Sequence, residues 1–402
     1  MRVSVVGAGP AGKKFFTEVA TDQIVSADCV LTSKRLEKTI NQLNNNIKVL
    51  GVMEIVDYIN NPLEGENHIC VVASGDVGFY SIASTIKRLV TTDVELDFIS
   101  GISSFQYFTA KLQMGYENMK FVSLHGKEKS IVPYVCYNEN VFSLTGGAEK
   151  AHDIIRELIE VGMDSVTVSV GENLGSSSER IVSGTPIELA DLVFEDLSVL
   201  VVNNKNYVNH YTPLTDDDFI RGKSPMTKES IRNLSVEALS IAPTDVVYDI
   251  GAGTGSVTVA MARRCFESTV YAIEKEDYAI ELIHQNIEKC GAYNIKVIEN
   301  VAPLGIEDLP PADKVFIGGS TGKLKDILDT VLAKNPNTVV VVNAVTLETI
   351  AEVTKLFEQL EFETETICIN VSKAQKLGRY NLMKAENPVY IIKGAKPNEP
   401  TC

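Results

Sequence analysis

Two stretches of this chain join an apolar run to a glycine-rich turn and a helix-like segment, and they constrain its fold most. The first is the opening, "MRVSVVGAGPAG"; the second is "VVYDIGAGTGSVTVA" at residues 246–260. A strand buried on both faces reads as a continuous apolar run. Glycine at its end permits the positive φ that turns the chain into a helix. With 402 residues the chain exceeds one ordinary core, so two such openings predict two α/β domains.

The pattern around each opening supports this. Val3–Val6, Ile69–Ala73 and Val166–Val170 read as buried strands, with helices over Phe79–Val90 and Ala148–Val161. A second series follows: strands at Val246–Ile250, Thr269–Ile273, Lys314–Ile317 and Thr338–Val342, preceded by a helix over Thr227–Ile241 with Thr227 as its N-cap. Between the series, Asn203–Ser224 is polar, charged and proline-containing, the composition of a linker. The expected layout is a domain over 1–205, a linker over 206–224 and a domain over 225–402. Each domain is an open α/β sheet with helices on both faces.

Net charge is −16, which makes nucleic acid a poor partner and requires local basic patches for any anionic substrate. No apolar run approaches the ~20 residues of a membrane span. Only Arg2 precedes the first strand, which is not a secretory leader, so a cytoplasmic location is expected. The seven cysteines form no CxxC pair and the five histidines no HxxxH spacing, so no metal site is expected.

The second loop has GxGxG spacing: Gly251, Gly253 and Gly255, with Asp249 just before it. The next strand ends in Glu274, roughly twenty residues on, where an acid accepts both ribose hydroxyls of an adenosine ligand. A dinucleotide needs its pyrophosphate cradled. A sulfonium nucleoside has none, and an acid beside its positive end is favourable, so this loop suits S-adenosylmethionine (SAM). The first loop, Gly7, Gly9 and Gly12, has dinucleotide spacing, but its second strand, "ADCVLTSKR", ends in Thr32, Ser33, Lys34 and Arg35 rather than an acid. Basic residues there suit the extra phosphate of NADP. A flavin- or NADP-dependent oxidoreductase fused to a methyltransferase is therefore one alternative, and a non-catalytic nucleotide-binding module is another.

Longer motifs carry a resemblance. "CVVASGDVGFYSIASTI", "DFISGISSFQYFTAKL", "FVSLHGKEK" and "VGENLGSSSERIVSGTPIEL" make the first half similar to the tetrapyrrole methylase family. The second half resembles the SAM-dependent, Rossmann-like methyltransferases that also decarboxylate precorrin. That likeness runs from "SPMTKESIR" through the glycine loop, "VIENVAPL" and "VFIGGSTGKLKDIL" to "SKAQKLGRYNLMKAENPVYII". The resemblance implies SAM contacts at Gly7, Pro10, Gly75, Asp76, Phe79, Ser103 and Ser104 in the first half. In the second it implies them at Thr227, Asp249, Gly251, Gly253, Gly255, Glu274, Val301 and Ala302.

The substrate implied is a precorrin or cobalt-precorrin of cobalamin biosynthesis. The first half would methylate carbon 5, and the second would methylate carbon 15 and decarboxylate the ring C acetate. Lys373, Lys376 and Arg379, with Lys384 nearby, then form the basic patch for its carboxylates. Lys127, Lys129 and His125 are the weaker counterparts in the first half. No Ser-His-Asp or Cys-His arrangement is evident, and no general acid or base is assigned. Both families assemble, so a homo-oligomer is expected. Two positions depart from the family patterns: Val301 replaces a common acid, and Gly12 stands one place off a GxGPG opening.

Overall fold

The computed structural model describes residues 1–124, 130–146, 150–223, 225–319 and 322–397. Packing divides the chain into two units, residues 1–129 with 139–203 and residues 130–138 with 204–402.

The N-terminal unit holds two sheets. The first comprises β1 (Arg2–Gly7), β2 (Cys29–Thr32), β3 (Ile47–Val49), β4 (His68–Ala73) and β5 (Glu95–Ile99), in the order β3-β2-β4-β1-β5. All its pairs are parallel. Alternate residues serve opposite faces, as strand geometry requires. Val3, Val5, Leu31 and Val71 pack with Ile55, Ile59 and Ile86, while Val6, Val30 and Val72 pack with Ile24, Leu36 and Ile40.

The second sheet comprises β6 (Met119–Ser123), β7 (Asn140–Leu144), β8 (Thr167–Glu172), β9 (Arg180–Gly184) and β10 (Ser198–Asn203), in the order β6-β7-β10-β8-β9. Only β6 and β7 run parallel; the other three pairs are antiparallel. The apolar run at Val166–Val170 therefore belongs to a mixed sheet and does not extend the first. An apolar run alone cannot report strand direction.

In the C-terminal unit, β11 (Val247–Ile250), β12 (Val270–Glu274), β13 (Ile295–Glu299), β14 (Lys314–Ile317), β15 (Val339–Ala344), β16 (Glu363–Ile369) and β19 (Val389–Ala395) form one sheet. Its order is β13-β12-β11-β14-β15-β19-β16. The first five strands are parallel and β19 is antiparallel to both neighbours. Val247 faces a core containing Leu239, Val257 and Ile283, whereas Tyr248 and Ile250 face one containing Ile327, Leu328 and Phe357. The sheet is therefore covered on both sides. Its strand order reverses between β11 and β14, which opens a crevice at their carboxyl ends. Between β16 and β19, β17 (Ser372–Leu377) and β18 (Tyr380–Ala385) form an exposed hairpin.

Three expectations need correction. The helix expected over Phe79–Val90 spans only Ala83–Leu89. The preceding turn is held by Asp76, which accepts the Gly78 N–H, and Tyr80 has a φ of 46°.

The helix expected from Thr227 spans Glu229–Leu239, so Thr227 is not its N-cap. Asp216 accepts the Glu229 N–H instead, and the Thr227 carbonyl accepts from the Arg232 guanidinium.

The stretch expected to be a free linker is laid onto the C-terminal unit. Leu214 and Phe219 are buried in its core, Arg263 donates to the Thr212 carbonyl, and Asn286 exchanges hydrogen bonds with Ile220. Its polar composition reflects side chains that bind the helices beneath it.

Residues 130–138 are the other unexpected part. The helix Val132–Tyr137 is buried throughout. Tyr137 donates to Asn294 Oδ1 at 2.8 Å, and the Cys136 and Val135 carbonyls accept from the Val208 N–H and the Asn204 amide. Asn294 in turn donates to the Ala262, Cys265 and Ser268 carbonyls. A fragment beginning at residue 204 loses these partners. Burial of one large side chain is worth ~2 kcal/mol, so such a fragment should unfold at lower denaturant than one with 130–138 fused through a flexible linker. Equal urea midpoints would show that the helix contributes nothing to that unit.

Candidate functional sites

Each unit has a large cavity bordered by the carboxyl ends of its parallel strands, together with residues from neighbouring antiparallel strands. In the C-terminal unit the cavity is about 1000 Å³. The loop after β11 forms its floor, with Gly251 at φ +74°, Gly253 at +57° and Gly255 at +74°. A Cβ at Gly251 would lie 2.8 Å from the Gly319 carbonyl oxygen, so this glycine is required by the close approach of two strand ends. Gly253 has nothing within 4 Å of such a Cβ, which leaves that side of the loop free for a ligand.

The two acids predicted beside this loop are both at the cavity. Glu274, at the end of β12, is buried. Its Oε2 accepts the Gly253 N–H at 2.8 Å, and its Oε1 accepts the Lys275 and Glu276 N–H groups at 2.8 and 3.1 Å. The carboxylate is thus aimed by backbone, with three of its roughly four lone-pair sites taken and one, on Oε2, left for a ligand.

Asp249, at the end of β11, is 1% exposed. Thr258 donates to its Oδ2, and its Oδ1 has no partner. Burial pushes its pKa up to about 7, opposed by the Thr258 hydrogen bond and aided by the nearby Glu274 charge.

Thr227 is half-buried and lines the same cavity, with Lys228 and Asn343 beside it. Val301 and Ala302 line a smaller cavity of about 50 Å³ that shares Gly251 and Glu274 with the large one. The Val301 N–H is taken by the Asn300 side chain.

The basic patch divides. Lys373 and Lys384 are cross-strand partners on the hairpin, and both line the cavity. Lys376 and Arg379 lie farther toward the hairpin tip, outside the lining, with the Arg379 guanidinium 5.0 Å from the Tyr380 ring centre. Asn343 was not singled out in the sequence. Its place at the end of a parallel strand was the available signal.

In the N-terminal unit the cavity is about 820 Å³ and is lined by Pro10, Gly75, Asp76, Phe79, Ser103 and Ser104 among others. Gly7 is not in the lining. A Cβ there would lie 2.7 Å from both Gly101 N and Gly75 O, so Gly7 lets three strand-end loops pack together. Gly9 and Gly75 exchange both backbone hydrogen bonds.

Asp76 ties the same loops: its Oδ1 accepts from Gly101 N–H and its Oδ2 from Gly78 N–H. Ser103 caps the helix Ser104–Lys111 reciprocally with Gln106. Phe79 packs against Phe105, Phe121 and Phe142.

Gly12 precedes only a three-residue 3-10 turn, with nothing within 4 Å of a Cβ. In a dinucleotide loop the third glycine lets a helix pack on its strand. Gly12 does not serve that purpose. His125, Lys127 and Lys129 lie outside the described residues.

Two family models match the chain. Residues 218–396 match the precorrin methyltransferase domain, and residues 2–190 match the tetrapyrrole (corrin/porphyrin) methylases. A probable cobalt-precorrin-6B C(15)-methyltransferase (decarboxylating) of Pyrobaculum calidifontis is 35% identical over 182 residues, 44% of this chain and 93% of that protein. One of the same description from Saccharolobus solfataricus is 37% identical over 200 residues, 48% of this chain and 98% of that protein. Among solved structures, the precorrin-6y C5,15-methyltransferase of Geobacter metallireducens is 34% identical. It covers 46% of this chain and 97% of its own, with a TM-score of 0.44.

The raised Asp249 pKa yields a test that needs no ligand. The folded state holds this proton up to pH ~7 and the unfolded state only to about 3.8. Asp249 therefore costs nothing below the unfolded value, and its cost grows through that window as pH rises. Asp249→Asn should stabilise the C-terminal unit at pH 8 by up to roughly 4 kcal/mol. The advantage should vanish near pH 4 in urea titrations. A pH-independent difference would mean that the carboxyl is already ionised throughout.

Proposed function

Since the chain belongs, through residues 218–396, to the precorrin methyltransferase family, we propose that it is a SAM-dependent C-methyltransferase and decarboxylase of precorrins in cobalamin synthesis. In this reading it carries two active units. The N-terminal unit methylates ring carbon 5; the C-terminal unit methylates carbon 15 and removes the ring C acetate carboxylate. The observation that carries the reading is the C-terminal cavity, with a glycine loop, a backbone-aimed Glu274 and a buried Asp249 on one side and Lys373 and Lys384 on the other.

The residues present fit SAM. The orphaned Oδ1 of Asp249 offers a carboxylate oxygen to a cationic ligand, and Gly253 leaves room for one to approach the backbone. Bound SAM supplies an electrophilic methyl group on a sulfonium. Glu274 accepts a ribose hydroxyl through its remaining Oε2 site, and Thr227, Val301 and Ala302 border the nucleoside. With SAM held there, no protein nucleophile would be needed: an electron-rich macrocycle carbon would take the methyl group as its bond to sulfur breaks and the neutral thioether leaves, and the protein's contribution would be positioning. Lys373 and Lys384 hold substrate carboxylates and compensate their charge. The conjugated ring receives the electrons left by carbon dioxide, as an electron sink does.

In the N-terminal unit, the loops carrying Pro10, Gly75, Asp76, Phe79, Ser103 and Ser104 are the corresponding SAM site. Gly7 supports them from behind. A cytoplasmic enzyme that assembles as a homo-oligomer completes the proposal.

The deciding experiment incubates the chain with precorrin or cobalt-precorrin substrates and SAM, counting methyl groups and carbon dioxide by mass spectrometry. Two methyls and one carbon dioxide are expected; one methyl with one carbon dioxide would leave the N-terminal unit without its assigned reaction.

Calorimetric titration with S-adenosylhomocysteine should resolve two sites. Glu274→Ala should weaken one by roughly 1–3 kcal/mol, the worth of a hydrogen bond to a charged group. An unchanged constant would remove Glu274 from the site. Because a cationic ligand favours ionised Asp249, SAM affinity at that site should rise as pH increases toward 7 and then level off. Asp249→Asn should flatten the profile.

A further inference from the structure

The charged groups around the N-terminal cavity differ in how they are engaged. Two acids line it, and both are engaged. Asp76 accepts two backbone N–H groups, and Asp196 is paired with Lys150 at 2.9 Å. Arg35 also lines it, near the start of the helix Lys34–Ile40, and has no hydrogen-bond or ion-pair partner among the described residues. The hydroxyls of Ser74, Ser104 and Ser123 in the same wall likewise have none. Among the described residues the wall therefore offers donors and one cation without protein partners, while its two carboxylates already hold partners within the chain. The ligand that complements it is rich in anionic acceptors.

We propose that Arg35 is a substrate-binding residue of the N-terminal unit, gripping one peripheral carboxylate of a polycarboxylate macrocycle. The inference rests on the tetrapyrrole reading of this cavity. A guanidinium presents two parallel N–H donors to a carboxylate, and neighbouring serines can take its remaining lone pairs. SAM carries one carboxylate, on its methionyl arm, whereas the macrocycle carries several; S-adenosylhomocysteine keeps that arm, so its affinity in the variants reports whether Arg35 serves the cofactor instead. The "TSKR" segment thus acquires a role other than a nicotinamide phosphate site.

The test uses uroporphyrin III, an octacarboxylate tetrapyrrole, as the probe on the full chain. The protein has no tryptophan and Tyr80 lines the cavity, so Tyr80→Trp places a single fluorescent reporter there. Quenching by the porphyrin is expected, and Arg35→Met in that background should weaken it about ten-fold or more. Arg35→Lys should fall between the two, and S-adenosylhomocysteine affinity should be unchanged in every variant.

Porphyrin binding that ignores Arg35→Met would overturn the role of Arg35 while leaving the cavity's tetrapyrrole reading intact. Equal weakening of porphyrin and S-adenosylhomocysteine would make Arg35 a residue of the fold or cofactor site and sink the proposal. No quenching in the reporter chain itself would overturn both the inference and the reading beneath it. Arg35-dependent binding of NADP in place of porphyrin would do the same.

Discussion

The C-terminal unit is organised around a fully buried guanidinium. Arg232 is 0% exposed; it donates to Asp216 and to the Leu214 and Thr227 carbonyls, and lies 4.6 Å from the centre of the Phe219 ring. A buried charge is costly unless it is paired; both terminal nitrogens of Arg232 are bonded while its Nε has no partner, and removing one partner of a buried pair typically costs about 3–5 kcal/mol. Arg232 therefore ties together Leu214, Asp216 and Thr227. Asp216 also caps the helix that carries Arg232, and its other oxygen lies 3.9 Å from Lys373. One carboxylate thus connects a buried cation, a helix start and the hairpin bordering the cavity. The wall made by Thr227 and Lys373 depends on this arrangement.

Both cavities lie where parallel strands end, and in both the glycines serve packing as much as ligand access. Gly7 and Gly251 each meet another loop's backbone closely enough to exclude a side chain. Gly253, with open space beside it, is the position left free to meet a ligand. The acids differ in the same way. Asp76 and Glu274 are bound by backbone amides and shape their loops, whereas Asp249 keeps one buried oxygen without a partner. A buried carboxyl held near neutrality is destabilising by itself. Asp249 lines the cavity, so the destabilising carboxyl lies at the site and not in the interior of the core.

Much of this was legible in the chain. The strands at Val3, Ile69, Val247, Val270, Lys314 and Val339 follow from apolar runs, closed by glycine after the first three and after Lys314–Ile317, because burial on both faces favours such runs. The acids at 249 and 274 were legible because strand ends and loop lengths fix what can face a crevice. The path of residues 204–224 was not. A polar segment with Asp216 and Thr212 looks solvated until Arg232 and Arg263, distant in sequence, turn out to need its oxygens. The antiparallel pairs of β10 were hidden for a related reason: strand direction depends on where connections lead.

By itself, then, the sequence determined two α/β units, their glycine loops and the acids beside the second loop, because these follow from local periodicity and spacing. Only the tertiary structure decided that residues 130–138 join the C-terminal unit, that Asp216 rather than Thr227 caps the helix Glu229–Leu239, and that Lys373 and Lys384 reach the cavity while Lys376 and Arg379 do not. It also distinguished Arg35, as a cation left over once its neighbouring acids had found partners. Each of these turns on which buried or charged group is satisfied by which distant one. Hydrogen bonds and ion pairs formed across the fold decide that, and no local pattern encodes them.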